Sequence, residues 1–103
     1  MIRHIVCWKF QERAGGASRE ENLQKAREML LGLRGTIAEI RSLEVGIDVV
    51  QGARSWDIAL VGTFASREDL AAYQNHPAHL EVVAFLRAVQ SERCSVDFEI
   101  PGA

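Results

Sequence analysis

Apolar and polar positions along the chain alternate with a period of two in four stretches and with helical spacing in the segments between them. In 2–10, Ile2, His4, Val6, Trp8 and Phe10 fall on one face and Arg3, Ile5, Cys7 and Lys9 on the other. Both faces carry apolar residues, which predicts a central strand covered twice. The stretch 11–17 is a loop marked by Gly15-Gly16. Ser18 is a helix N-cap, with Glu21 completing a capping box, and Leu23, Ala26, Leu30, Leu33 and Ile37 follow at helical spacing until Gly35. In 41–50, Leu43, Val45, Ile47 and Val49 alternate with Ser42, Glu44, Gly46 and Asp48. A short turn over 51–55 leads to a strand over 56–64, with Trp56, Ile58, Leu60 and Phe64 on one face. Ser66 caps a second helix carrying Leu70 and Tyr73. Pro77 breaks that helix, because the residue before a proline avoids helical angles and proline suits a first helical position. The spacing therefore predicts a helix to about Gln74, a break at Asn75-His76 and a new, strongly apolar helix from Pro77 to about Val89. The last strand covers 92–100.

Strand, helix, strand, strand, broken helix, strand is the order of the split βαβ, or ferredoxin-like, α+β arrangement. It predicts a four-stranded antiparallel sheet with the helices on one face, and residues 1–103 read as one domain. The opposite face is expected to carry Ile5, Cys7, Ala59 and Val61 mixed with Thr63, Asp97 and Glu99. Such a face is too apolar to be left wet, and the sheet of an identical subunit packed across a two-fold axis is the simplest cover. A homodimer through the open sheet face is the expectation.

With 48% apolar and 25% charged residues the composition is that of an ordinary globular chain. A net charge of −2 and the lack of a basic stripe argue against nucleic acid as a partner. No run approaches a membrane span and no secretory leader precedes the first strand, so no membrane partner is expected and the expected location is cytoplasmic. Cys7 and Cys94 lie in strand-like runs without metal-ligand spacing and read as buried reduced thiols. A disulfide between them would need adjacent strands and facing side chains. No phosphate-cradling glycine loop occurs. His76 and His79 stand three apart across the proline break and no third ligand presents itself, so neither a metal nor any other cofactor is expected.

Several short segments carry a resemblance: Met1-Ile-Arg-His-Ile-Val6 followed by Lys9-Phe10, Val45-Gly46, Phe64-Ala-Ser-Arg-Glu-Asp-Leu-Ala-Ala-Tyr73, His76-Pro-Ala-His79 and Val96-Asp-Phe98. In this order they resemble the stress-responsive dimeric α/β-barrel (Dabb) family over nearly the whole chain. The resemblance implies a ferredoxin-like protomer whose sheet closes with its partner's into a barrel. Some relatives are cofactor-independent enzymes, including polyketide cyclases that perform an intramolecular aldol closure. In them a strand-one histidine, the tyrosine before the HPxH stretch and its second histidine meet in a cavity between sheet and helices. The matching residues are His4, Tyr73 and His79. Val6, Trp8, Val45 and Leu86 are the candidates for the rest of the pocket. The chain departs from the family at Cys7, where an aliphatic residue is common, and Trp8 occupies space that a substrate would need.

The chemistry this implies is cofactor-free. His79, in the first turn of a helix whose N-terminus disfavours imidazolium, is the candidate general base. Tyr73 is the candidate donor to a developing enolate oxygen, and His4 orients a carbonyl or relays a proton. His76 reads as a capping residue. The chain is thus expected to bind a small apolar or aromatic molecule and to act on it as a cyclase or lyase. The first alternative is a non-catalytic stress or assembly protein, with a solid core plugged by Trp8 and Phe85 and histidines that only hold the fold. The second is a cofactor-independent monooxygenase.

Overall fold

The computed structural model describes residues 1–101. Its strands and helices are β1 (Ile2–Phe10), β2 (Arg13–Ala14), β3 (Ala17–Ser18), α1 (Arg19–Gly32), β4 (Ser42–Ile47), β5 (Ile58–Phe64), α2 (Arg67–Asn75), α3 (Pro77–Val89) and β6 (Gln90–Glu99). The main sheet has the order β4-β5-β1-β6 and every pairing is antiparallel. This is the ferredoxin-like α+β arrangement expected from the element order.

Local chemistry accounts for the element ends. Ser18 and Glu21 form the reciprocal capping box that starts α1, and a single 3-10 turn over Leu33–Gly35 ends it. The predicted loop over 11–17 holds a small hairpin, β2–β3. Its turn residues Gly15 and Gly16 have φ of 61° and 77°, angles that glycine adopts without a Cβ penalty. The β4–β5 connection is longer than predicted. Pairing stops at Ile47 opposite Ile58, which leaves 48–57 as a loop. Trp56 lies in that loop rather than in the strand, with the Lys9 ammonium 5.0 Å from its ring centroid.

The core sits between the sheet and the helices. Val6, Phe10, Leu30, Ile37, Leu43, Ile58, Leu60, Phe64, Tyr73 and Leu86 are all buried there. Burying a large apolar side chain contributes about 1.5–3 kcal/mol, so this layer dominates the stability of the fold. The second face differs from the expectation in one strand. Register pairs Ile2 with Glu99 and His4 with Asp97, so Asp97 and Glu99 point to the helix side. Cys94, Val96 and Phe98 take the open face, beside Ile5 and Cys7 of β1 and Ala59 and Val61 of β5. The physical reason is that β6 is an edge strand beyond the helices' cover, and its residues from Ser91 to Glu99 are exposed. Polar side chains on its helix side therefore reach water. The open face is in consequence more apolar than predicted, with Val96 54% and Phe98 42% exposed.

Candidate functional site

The break between α2 and α3 builds the site. Pro77 has no N–H, so the Tyr73 carbonyl accepts instead from the His76 N–H at 3.2 Å. His76 turns extended (φ −66°, ψ 135°), and its Nδ1 accepts from the Ala78 N–H at 3.0 Å as the N-cap of α3. Gln74 is thereby left with a carbonyl that an unbroken helix would have satisfied through Ala78. His79 supplies the missing donor: its Nδ1–H donates to the Gln74 oxygen at 3.0 Å. One proline thus gives two histidines opposite assignments. His76 is a cap whose Nδ1 is occupied as an acceptor. His79 holds its proton on Nδ1 and keeps the Nε2 lone pair free for a ligand.

Tyr73 and His4 lie against it. The Tyr73 and His79 ring centroids are 4.4 Å apart, and those of Tyr73 and His4 are 6.2 Å apart, edge to face. Phe64 packs under both His4 and Tyr73. On β1, His4 is buried, and its Nδ1–H donates to Asp97 Oδ1 of the neighbouring strand. The carboxylate fixes the His4 tautomer, with the proton on Nδ1.

These groups open on a cavity of about 340 Å³ between β1 and the broken helix. Val6, Trp8, Leu60, Val83 and Leu86 make its apolar wall, and His4, Tyr73 and His79 one end. Trp8 forms part of the wall and leaves the space open. Phe85 lies outside it, under the Lys25 ammonium at 4.7 Å. Val45 is buried on β4 and does not reach the cavity, because β5 and β1 stand between β4 and the helix break.

Electrostatics sharpen the picture. Burial pushes the Tyr73 phenol up to about 12, so it remains a proton donor throughout the physiological range. Burial also lowers the His79 pKa below the usual imidazole value. The Gln74 carbonyl opposes this, and His4, Arg93 and His76 add to the depression. A neutral ring with a free Nε2 can accept a proton, and a neutral phenol beside it can donate to an oxyanion. Among the described residues, no three His, Cys, Asp or Glu side chains come together as a metal site.

The wall also holds residues that the sequence reading passed over: Gln74, Leu80, Arg87, Gln90 and Arg93, with Asp97 behind His4. A signal for some of them exists. His79, Val83, Leu86 and Gln90 continue at helical spacing, as do Leu80, Val83 and Arg87, so one stripe of α3 faces the cavity. Asp97 and Arg93 needed the β1–β6 register. Neither Arg87 nor Arg93 has a carboxylate within ion-pair distance among the described residues.

Fold and site together define a ferredoxin-like α+β protein with an acid–base cluster at one end of an apolar cavity. The chain belongs to the stress responsive A/B barrel domain (Dabb) family, whose model matches residues 2–100. It is similar to a dimeric ferredoxin-like protein of unknown function from Bacteroides fragilis, with 29% identity over 96% of this chain and 95% of that one and a TM-score of 0.83. A dimeric ferredoxin-like protein of unknown function from Thermobifida fusca matches at 24% identity over 96% and 90% of the chains, with a TM-score of 0.82. The hydroxynitrile lyase from Passiflora edulis has the same fold, at 20% identity over 99% and 94% and a TM-score of 0.78. A comparison with curated proteins gives no match. No helix among the described residues is long and apolar enough to cross a membrane.

Proposed function

We propose that the chain works as a homodimer joined through its open sheet face, and that each protomer binds a small apolar or aromatic carbonyl compound on which it performs cofactor-free acid–base chemistry of the cyclase or lyase type. His79 is the base, taking a proton through Nε2 from a carbon beside a carbonyl or from a hydroxyl. Tyr73 donates to the oxygen on which negative charge develops. His4, held by Asp97, orients the carbonyl or returns the proton. Arg87 and Arg93 at the wall suit a substrate whose far end carries a carboxylate or an enolate.

The observation that carries this reading is the bond between His79 Nδ1 and the Gln74 carbonyl, beside a buried tyrosine and facing an open cavity. It prepares an imidazole for proton abstraction before any substrate arrives. The non-catalytic reading has its own observation: His4 and His79 each make a bond that ties two elements together. Turnover decides between them. Candidate linear polyketides and hydroxynitriles, the latter prompted by the fold neighbour's name, are offered to wild type and to His79→Ala, with folding checked by circular dichroism. Turnover lost only in the variant supports the base. Equal turnover by both folded proteins removes His79 from the chemistry. The homodimer is tested by sedimentation, where a monomer at micromolar concentration overturns it.

A further inference from the structure

Cys7 and Cys94 are direct partners in the β1–β6 ladder and lie on the face opposite the cavity. Both are free thiols, Cys7 half-buried and Cys94 exposed. Directly opposed residues of an antiparallel pair project to the same side, with Cα atoms about 4.5–5.5 Å apart. A disulfide needs Cα atoms roughly 4.4–6.8 Å apart, which the ladder meets, and Cβ atoms about 3.5–4.5 Å apart, so at this hydrogen-bonded rung the side chains must draw together and the bridge is strained and readily reduced. We infer that Cys7 and Cys94 form a reversible dithiol–disulfide site, oxidised to a cross-strand bridge by hydrogen peroxide and restored by thiols.

The surroundings set the order of events. Cys7 has Ile5 on one side and Lys9 on the other along the open face, with Ala59 beside it on β5. Burial, and then the neighbouring Cys94 thiol, push the Cys7 thiol up. Cys94 stands on the exposed edge strand and meets the oxidant first. Its thiolate attacks one peroxide oxygen; the O–O bond breaks, hydroxide leaves and is protonated to water, and a sulfenic acid remains. The Cys7 sulfur then attacks the Cys94 sulfur. The S–O bond breaks, and the departing hydroxide takes the Cys7 proton to form a second water. Two thiols lose two electrons and two protons, and one peroxide becomes two waters.

The site is compatible with a covered sheet face. The apolar patch centres on Ile5, Val61, Val96 and Phe98, and the cysteines bound it on the side of the Lys9–Glu92 ion pair, 3.5 Å long. Cys94 is exposed on the edge strand of the sheet, so the proposed dimer places it at the rim of the covered patch. The bridge staples β1 to β6 three residues along the ladder from the His4–Asp97 pair, on the opposite face, and closes nearly the whole chain into a loop, the case in which a disulfide restricts the unfolded state most.

The test treats the folded wild-type protein with a small excess of hydrogen peroxide and reads thiol count, intact mass and melting temperature. Expected are the loss of both reactive thiols, a mass lower by about 2 Da, a single chain on a non-reducing gel, a cross-linked peptide joining Cys7 to Cys94 and full reversal by dithiothreitol. The melting temperature rises by about 5–15 °C in the oxidised form. In Cys7→Ser the sulfenic acid on Cys94 has no resolving thiol and is trapped by dimedone. In Cys94→Ser the remaining thiol reacts far more slowly. Retention of both thiols in the folded wild type overturns the inference. So does over-oxidation of wild type, with a mass gain of about 32 or 48 Da, or a bridge between two chains.

Discussion

Strands β1 and β6 present two faces made by one backbone register, and the faces have opposite characters. Toward the helices, His4 meets Asp97 beside the open cavity. Toward the open side, Ile5 meets Val96 and Cys7 meets Cys94, with no helix above them. Period-two alternation would ordinarily place apolar residues under the helices and polar ones outside. Here β6 does the reverse, because it runs along the edge of the helix layer. Its Gln90 and Arg93 line the cavity, its Asp97 holds His4, and its apolar side chains spread over the open face. Polarity under the helices is tolerated where a ligand space supplies solvent or a partner. Apolarity on the open side is tolerated where a second sheet can cover it. One strand thus contributes to both the cavity and the open face.

The two faces can be broken separately. On the cavity face, His79→Ala removes the proposed base and is expected to lower turnover by about 10²–10⁴-fold with the far-ultraviolet spectrum unchanged. A loss under about threefold would remove the cavity face from the chemistry. On the open face, Val96→Asp places a charge in the middle of the apolar patch, and two-fold symmetry counts it twice. A weakening of self-association by about 10²-fold or more is expected in sedimentation equilibrium, since an unpaired buried charge costs several kcal/mol. An unchanged association constant would mean that the open face is not the interface.

How much of this contrast was legible in the sequence follows from the range of the forces involved. The caps at Ser18 and Ser66, the break at His76-Pro77 and the period of β1 rest on neighbours in the chain, and the elements start and stop where those signals lie. The side on which Asp97 points rests on pairing with a strand more than ninety residues earlier, so alternation and polarity alone put it on the open face, which the register overturns. Val45 is expected at the pocket beside the family resemblance, yet it stands on the far edge strand of the sheet and lines no part of the cavity. The open cavity beside Trp8 was equally beyond composition, because a gap in packing is a property of how α3 crosses β1. The roles of His4, Tyr73 and His79 remain proposals that turnover tests; what the fold adds is the fixed tautomer of His79, which follows from the carbonyl that Pro77 strands on Gln74.

A smaller effect comes from the glycine under the cavity face. Gly62 pairs with His4 on one side and Leu43 on the other. A Cβ there would lie 3.2 Å from the Phe64 ring and 3.3 Å from Leu43 Cδ1, both buried. Phe64 supports His4 and Tyr73, so Gly62→Ala is expected to cost about 1–3 kcal/mol through overpacking. The melting temperature falls by about 4–8 °C for each kcal/mol. Self-association of the folded protein should be untouched, because Gly62 faces the helices. Wild-type thermal stability in this variant would mean that the Phe64 layer yields more freely than its full burial implies.

The smallest effect concerns pH and isolates the environment of His79. Burial lowers its folded pKa below the ordinary imidazole value of 6.5, so between the two values the unfolded chain binds the proton more readily. Stability then rises with pH through that window: the contribution is complete above about 6.5 and is lost as pH falls through the folded value. His79 is only half-buried, so the slope is modest, and the useful quantity is the difference between wild type and His79→Gln in urea titrations at several pH values. That difference should be constant above pH 6.5 and shrink on acidification. Turnover should keep its plateau to a pH below 6.5 before an acid limb appears, and Tyr73, at about 12, should add no alkaline limb near neutrality. An acid limb that begins above pH 6.5 would contradict the desolvated, carbonyl-bound imidazole. It would move the base to a more exposed group on the cavity wall.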